Sequence, residues 1–251
     1  FVESKHDFNI DPAAVEAAIT ERTKVIMVVD IAGWPCDYDE FNHMVEQENV
    51  KKLFQAKTDA QKKLGRILML SDAAHSLGAV YKGKRTGSLT DITVFSFHAV
   101  KNLTTAEGGA VCLNLPESFD AEEEYKSLNI KTLHGQSKDA LAKSQIGNWR
   151  YDIVEAGYKY NMTDIQAAMG LVEIDRYEDD MLKKRAHIMS LYATLLEPYE
   201  WAELPKFVDY DKRSSFHLFL LRIRGINESQ RDAIIQEVFA QEVSVNVHYM
   251  P

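Results

Sequence analysis

The chain has 251 residues, 45% of them hydrophobic and 27% charged, a balance that excludes a disordered or fibrous protein and bounds the fold to one large domain or one large plus one small. Its net charge is −9, and the lysines of "KKLFQAKTDAQKK" fall on one predicted helix as a solvated face, so nucleic acid and anionic membranes are excluded as partners. No apolar run reaches the length of a membrane span and no signal segment opens the chain, which makes the cytosol the expected compartment.

The two cysteines, Cys36 and Cys112, match no metal or redox spacing and read as reduced thiols, and no metal site is expected. The chain starts at Phe1 and ends in "VNVHYMP". Both ends read as cuts in a longer polypeptide.

In chain order, "NIDPAAVEAAIT" predicts a helix with Asp11 as cap and Pro12 at its first position. "KVIMVVD" (24–30) predicts a buried strand. "AGWPCDYDE" supplies a turn, and "YDEFNHMVEQENVKKLFQAKTDAQKKL" carries apolar residues at helical spacing. "RILMLSD" is a second buried strand ending at Asp72. Turns at Gly83 and Gly87 precede the strands "ITVFSF" and "GAVCLN". The alternation predicts right-handed crossovers and an α/β fold with a largely parallel central sheet between helices.

From Pro116 to Lys159 the pattern is polar, consistent with a helix and a long loop. "MTDIQAAMGLVEIDRYEDDMLKKRAHIMSLYATLLE" predicts the longest helical region, capped by Thr163 or Asp164. Beyond it the strand "SSFHLFLLRIRG", the helix "ESQRDAIIQEVFAQ" and the strand "VSVNVHY" predict a smaller α+β unit. The expected division is 1–185 for a large domain and 186–251 for a small one.

Asp72 and the segment after Phe97 lie at strand ends, where open α/β sheets hold ligands. Lys101 follows Asp72 by 29 residues and Ser96 by five. A lysine amine forms an imine with an aldehyde, and a buried carboxylate keeps a heterocyclic nitrogen protonated. Those are the two needs of pyridoxal phosphate chemistry, in which the ring draws electrons and the lysine moves the proton. Taken singly, Asp72 reads equally as a helix cap, Ser96 as a buried hydroxyl and His75 as a satisfied polar contact.

"SDAAHSLGAVYKGKRTGSLTDITVFSFHAVKNLTTAEGGAV" resembles the active-site core of the DegT/DnrJ/EryC1/StrS family of nucleotide-sugar aminotransferases, which have the type I fold of pyridoxal phosphate enzymes. The resemblance extends from "NIDPAAVEAAITERTKVI" through "GYKYNMTDIQAAMGL" to "VHYMP". It implies that Lys101 forms the imine with pyridoxal 5'-phosphate, that Asp72 pairs with the pyridine nitrogen, and that Ala74 packs on one ring face. It further implies that His75 reaches the ring hydroxyl and Ser96 the phosphate.

For His98, orientation of the loop before Lys101 and contact with substrate both stand open, and His248 reads equally as a substrate contact or a rim histidine. Gly108 and Gly109, with Glu107, read as structural, forming a turn beside the lysine loop. Family members form homodimers in which "GYKYNMTDIQAA" reaches the neighbour's site. Lys159 stands where many members have asparagine, and Asn161 where they have arginine. Either supplies a donor to the partner's phosphate, and Asn161 reads equally as the cap of the next helix.

The family takes further phosphate donors and an aromatic ring for the cofactor's other face from a region upstream of Phe1, so the pocket within this chain is expected to be incomplete. The implied reaction moves an amino group from L-glutamate to a nucleotide-linked 4-keto sugar by a ping-pong route, in bacterial surface-polysaccharide or amino-sugar synthesis. Lysine at 101 argues against the family's dehydrating branch, where histidine replaces it. A non-catalytic protein that binds pyridoxal phosphate for regulation or scaffolding is the alternative. A generic anion-binding α/β domain leaves the joint placement of Asp72, Ser96 and Lys101 without a reason.

Overall fold

A computed structural model describes residues 1–137, 146 and 150–248. Residues 138–145 and 147–149 of the predicted long loop, and the last three residues of "VHYMP", lie outside them.

Helix α1 (Pro12–Ala18) starts as its sequence dictates: Asp11 accepts from the Ala13 N–H at 3.0 Å, and Pro12 occupies a position whose N–H needs no partner. The central sheet is built from β1 (Val25–Val29), β2 (Leu68–Asp72), β5 (Ile92–Ser96) and β6 (Gly109–Leu113), in the order β1-β2-β5-β6. The first three run parallel, with Val29 opposite Asp72 and Asp72 opposite Val94. β6 returns antiparallel to β5 with Gly109 opposite Ser96. Two short strands, β3 (Val80–Tyr81) and β4 (Lys84–Arg85), form a hairpin between β2 and β5.

One face of the sheet is packed. Ile26, Val28 and Met69 meet α1, α2 (Tyr38–Glu46) and α3 (Glu48–Leu53) through Val15, Tyr38, Phe41, Met44, Val45 and Val50. The spacing of the buried residues in α2 is that of a helix with one apolar stripe. The other face is open: Met27 is 56% exposed, Val94 40% and Val111 50%.

The single lysine-bearing helix expected from "KKLFQAKTDAQKK" is a pair instead. α3 ends at Leu53, and α4 (Asp59–Leu64) starts afresh with Thr58 accepting from the Gln61 N–H and stops at Gly65 in the left-handed region. Its lysines remain on the surface.

After α5 (Ala121–Thr132), capped by Asp120, the long helical region opens at α6 (Asp164–Arg176). Thr163 is its cap, in a reciprocal box with Gln166. A π-helical turn at Tyr177–Met181 interrupts it before α7 (Leu182–Leu196), which continues unbroken across positions 185 and 186. The π turn directs the Tyr177 hydroxyl inward, where it donates to the Leu77 carbonyl at 2.5 Å.

Beyond α7 lie β7 (Ala202–Glu203), β8 (Lys212–Arg213), β9 (Arg222–Ile223) and α8 (Glu228–Ala240), the last capped by Asn227 in a second box with Gln230. The strands expected over "SSFHLFLLRIRG" and "VSVNVHY" are a correction. Residues 214–221 and 243–248 are extended or irregular, because among the described residues no strand lies alongside them to complete a ladder. Only β8, which pairs with β3, and β9, which pairs with β7, find partners there.

Arg66 and Asp91 pin the start of β2 to the start of β5. Two guanidinium nitrogens of Arg66 reach the Asp91 carboxylate at 2.7 and 2.8 Å, and the same carboxylate accepts from the Met69 N–H at 2.8 Å. Arg66 is 13% exposed and Asp91 6%, so removal of the carboxylate leaves the buried Met69 N–H unpaired and Arg66 with Glu46, 2.6 Å from its Nε, as its remaining counter-charge. Asp91→Ala is expected to lower the unfolding free energy by about 2–4 kcal/mol in urea titrations. A loss below about 1 kcal/mol would mean that the pair contributes no more than an exposed one.

Candidate active site

Alternation along the strands decides which side chains meet at the carboxyl ends of β2 and β5. Asp72, Val94 and Ser96 fall on the open face, with Met27 and Leu70 behind them, and together with Ala74 they line a cavity of about 290 Å³. Asp72 Oδ1 accepts from the Ala74 N–H at 3.0 Å, and the Ala73 N–H donates to the Val94 carbonyl at 2.8 Å. These bonds turn the chain out of β2 and fix Ala74 and His75 beside the carboxylate.

The lysine loop, residues 97–108, is closed at its base by Phe97, whose N–H donates to the Gly108 carbonyl at 2.8 Å and whose carbonyl accepts from the Thr105 N–H at 2.9 Å. A methyl group on Gly109 would stand 2.6 Å from the Phe95 carbonyl, so only glycine lets β6 approach β5 there. Within the loop the Lys101 N–H donates to the His98 carbonyl at 2.9 Å, and the His98 N–H donates to Ser96 Oγ at 3.3 Å. Leu103 anchors the loop in a second core cluster with Tyr177, Leu182, Met189 and Phe216.

Lys101 is half-buried and has no ion pair among the described residues. Burial holds its amine below the ordinary lysine range, and the charge of Asp72 partly opposes that shift. Asp72, Ala74, Ser96 and Lys101 are thus gathered at one end of the sheet. His98 is exposed, with Nε2 at 3.6 Å from Glu107 Oε1, and its backbone orients the loop.

His75 is buried and its Nδ1 has no hydrogen-bond partner among the described residues. Burial, then the charge of Lys101, then His248 push its pKa down to about 4, so the ring is neutral at pH 7. The ring of His217 lies 4.3 Å from that of His75 at a tilt of 32°, and the ring of His248 lies 5.3 Å away. Burial and the neighbouring rings and cations lower His217 to about 3. Asn102 Oδ1 stands 2.8 Å from His217 Nδ1.

Asn102 and His217 are absent from the sequence expectations. Position 102 follows the lysine directly, which is a signal of proximity. His217, 115 residues from Asn102, gives no local signal at all.

Lys159 and Asn161 are exposed and held to one another, the Lys159 ammonium donating to Asn161 Oδ1. Tyr158 and Tyr160 stack beside them with centroids 5.0 Å apart. Within this chain no contact among the described residues joins Lys159 or Asn161 to the Asp72 cavity. The helix cap that Asn161 was expected to share is supplied by Thr163. A larger groove of about 740 Å³, floored by Trp34, Tyr81 and Lys212, includes neither Asp72 nor Lys101.

Pyridoxal phosphate fits these residues on four observations. A weakened amine feels the charge of a carboxylate, a hydroxyl ends the neighbouring strand, a methyl lines the cavity wall, and a buried imidazole nitrogen has no hydrogen-bond partner among the described residues. Among the described residues no cluster of three metal ligands occurs, and no helix is long and apolar enough to cross a membrane.

The spore coat polysaccharide biosynthesis protein SpsC of Bacillus subtilis is 33% identical over 98% of this chain and 58% of its own length. The UDP-4-amino-4,6-dideoxy-N-acetyl-beta-L-altrosamine transaminase of Campylobacter jejuni is 31% identical over 100% of this chain and 59% of its own. Spr1654 of Streptococcus pneumoniae, solved in a PMP-form, superposes with a TM-score of 0.92 at 45% identity, covering 100% of this chain and 62% of that one. The chain therefore spans about three fifths of the length of these relatives. Residues 1–251 match the model of one family throughout, and the chain belongs to the DegT/DnrJ/EryC1/StrS aminotransferase family.

Proposed function

We propose that the protein is a pyridoxal phosphate-dependent aminotransferase that moves an amino group from L-glutamate to a nucleotide-linked 4-keto sugar in surface-polysaccharide or amino-sugar synthesis. The observation that carries the reading is the convergence of Asp72, Ser96 and Lys101 at one sheet end beside a neutral, unpartnered His75 nitrogen. The 4-keto position is supported by the Campylobacter relative, whose name specifies a sugar with an amino group at the fourth carbon. The SpsC name supports a polysaccharide pathway.

When bound, pyridoxal phosphate supplies an aldehyde for the lysine amine and a ring that stabilises negative charge at the amine-bearing carbon. The chain's residues divide the remaining work. Asp72 holds a proton on the ring nitrogen, and the Ala74 N–H on Oδ1 keeps its carboxylate aimed. Ala74 would cover one ring face, Ser96 would donate to the phosphate, and His75 would serve the ring hydroxyl. Lys101 Nζ would accept the proton from the donor's amine-bearing carbon and release it where the amino transfer requires it, so that it is not given back to that carbon. Its lowered basicity, caused by burial, eases release of the proton it takes.

The proposal includes a homodimer. Ile165 and Val172 of α6 are 77% and 62% exposed, and Tyr160 is 74% exposed, forming an apolar surface next to Lys159 and Asn161. A partner seated there would bring those two donors to its own cofactor phosphate, with His98 and His248 facing the sugar. The division at 185/186 and a cytoplasmic site of action complete the reading. Cys36 and Cys112 are unpaired, as a reducing compartment requires.

Lys101→Ala is expected to cut amino transfer from glutamate by about 10²- to 10⁴-fold and to abolish the glutamate-induced change in the absorption of the bound cofactor. Undiminished transfer would sink the lysine's role and leave a binding protein. Asp72→Asn keeps the acceptor for the Ala74 N–H and removes only the charge. It should retain cofactor while turnover falls by at least about 10²-fold. Wild-type turnover in that variant would show that the ring nitrogen does not depend on Asp72.

A further inference from the structure

We infer that Asn102 and His217 form a positioning pair, through which the segment 214–217 holds His75 and the Lys101 loop in a fixed relation to one another. The inference rests on the functional reading above for its purpose, and on hydrogen-bond accounting for its existence. Asn102 is 4% exposed and His217 8%. The Asn102 amide donates to the Ser215 carbonyl at 2.7 Å and to the Tyr177 hydroxyl at 3.3 Å. The hydroxyl's own proton goes to the Leu77 carbonyl, so it can only accept from Asn102.

Both amide hydrogens are thereby used, and Oδ1 has only acceptor capacity left. His217 Nδ1, 2.8 Å away, must carry the proton, which leaves Nε2 bare in the neutral ring. Asn102 thus selects the tautomer and fixes the ring plane against which His75 packs. The same segment grips the His75 turn and the neighbouring loop at Gly33, once each. Ser215 Oγ donates to the His75 carbonyl, and the Ser215 N–H donates to the Gly33 carbonyl at 3.1 Å.

Gly33 has a φ of +89°, and a side chain there would collide with both Ser215 and the His75 carbonyl. One short segment is therefore bonded on one side to the residue after the lysine, and on the other to the backbone of His75, whose Nδ1 has no hydrogen-bond partner among the described residues. Among the described residues Lys101 has no ion pair and His75 Nδ1 no hydrogen-bond partner, so the His75 ring is held by its packing against His217 and His248. A group held only by its neighbours owes its aim to them, and an error of about 1 Å in such an aim costs about 10²-fold in rate.

A tautomer measurement on the unmutated protein, and the spectra, kinetics and stability of four variants, test the pair. Histidine-selective ¹⁵N NMR of the intact protein without cofactor should show His217 as the Nδ1–H tautomer at pH 7. An Nε2–H tautomer, or rapid averaging of the two, would overturn the pairing whatever the enzyme catalyses. Asn102→Ala removes the acceptor, His217→Phe keeps a ring but no donor, and His217→Gln keeps a donor but no ring. Asn102→Ala and His217→Phe should each move the pH midpoint of the bound cofactor's absorption by about half a unit or more.

Both should also lower kcat about tenfold with KM little changed, and the double variant should be no worse than either single one. His217→Gln should recover most of the spectral midpoint if it is the hydrogen bond that positions the site. If Asn102→Ala or His217→Phe lowers only stability to urea, with midpoint and kcat as in the unmutated protein, the pair is structural and the inference fails. Unmutated protein that showed no transfer at all would refute the proposed function instead, and the tautomer measurement would still decide the pair.

Discussion

Everything at the candidate site depends on the register of three parallel strands. With Val29, Asp72 and Val94 abreast, alternation places Asp72 and Ser96 on the open face and Ser71 and Thr93 in the packed one. A slip of one residue would exchange the two sets, burying a carboxylate against Phe41 and Val45 and exposing the serine. No rearrangement of loops could restore the cavity after such an exchange.

That register is fixed from both sides of the sheet. At the entry to β2, Asp91 reaches across from the start of β5 to hold Arg66 and the Met69 N–H. Under the exit, Asp30 accepts from the Tyr38 hydroxyl at 2.7 Å and from the Cys36 N–H at 2.8 Å, while Tyr38 also meets Ser71 Oγ at 2.9 Å. Burial raises the Asp30 carboxyl and the Tyr38 phenol above their ordinary ranges, yet each has hydrogen bonds that make the location tolerable. A polar network below the sheet thus supports a polar site above it, and the two share only the strands between them.

Much of this was legible in the sequence, for identifiable reasons. The strands ending at Asp72 and Ser96 are short apolar runs with clear boundaries, and Asp11, Pro12 and Thr163 signal helix starts through chemistry confined to a few residues. What escaped is what depends on distant partners. A period of two does not say whether β6 runs with or against β5, and an extended apolar run such as 216–221 cannot say whether a strand will lie beside it. The break between α3 and α4 was marked by Thr58 and Gly65 but outweighed by the apolar spacing around them. The His217–Asn102 bond joins residues whose neighbours in sequence carry no trace of each other. The resemblance to a family supplied the roles of Asp72, His75 and Lys101, while the residues that aim them emerged only from the packing.

The open face of the sheet has a consequence for handling the protein in solution. Among the described residues β1 and β6 are the outer strands of the four, and Val94 and Val111, paired across β5 and β6, share the exposed face with Met27 on β1. An uncapped ladder next to a greasy sheet is a template on which partly opened molecules add to one another. Heated samples of the span 1–251 will then clot before they can refold, and apparent melting points will follow the heating rate and the concentration rather than an equilibrium. Dilute denaturant titrations, in which urea keeps the opened chains apart, are the reliable route to its thermodynamics.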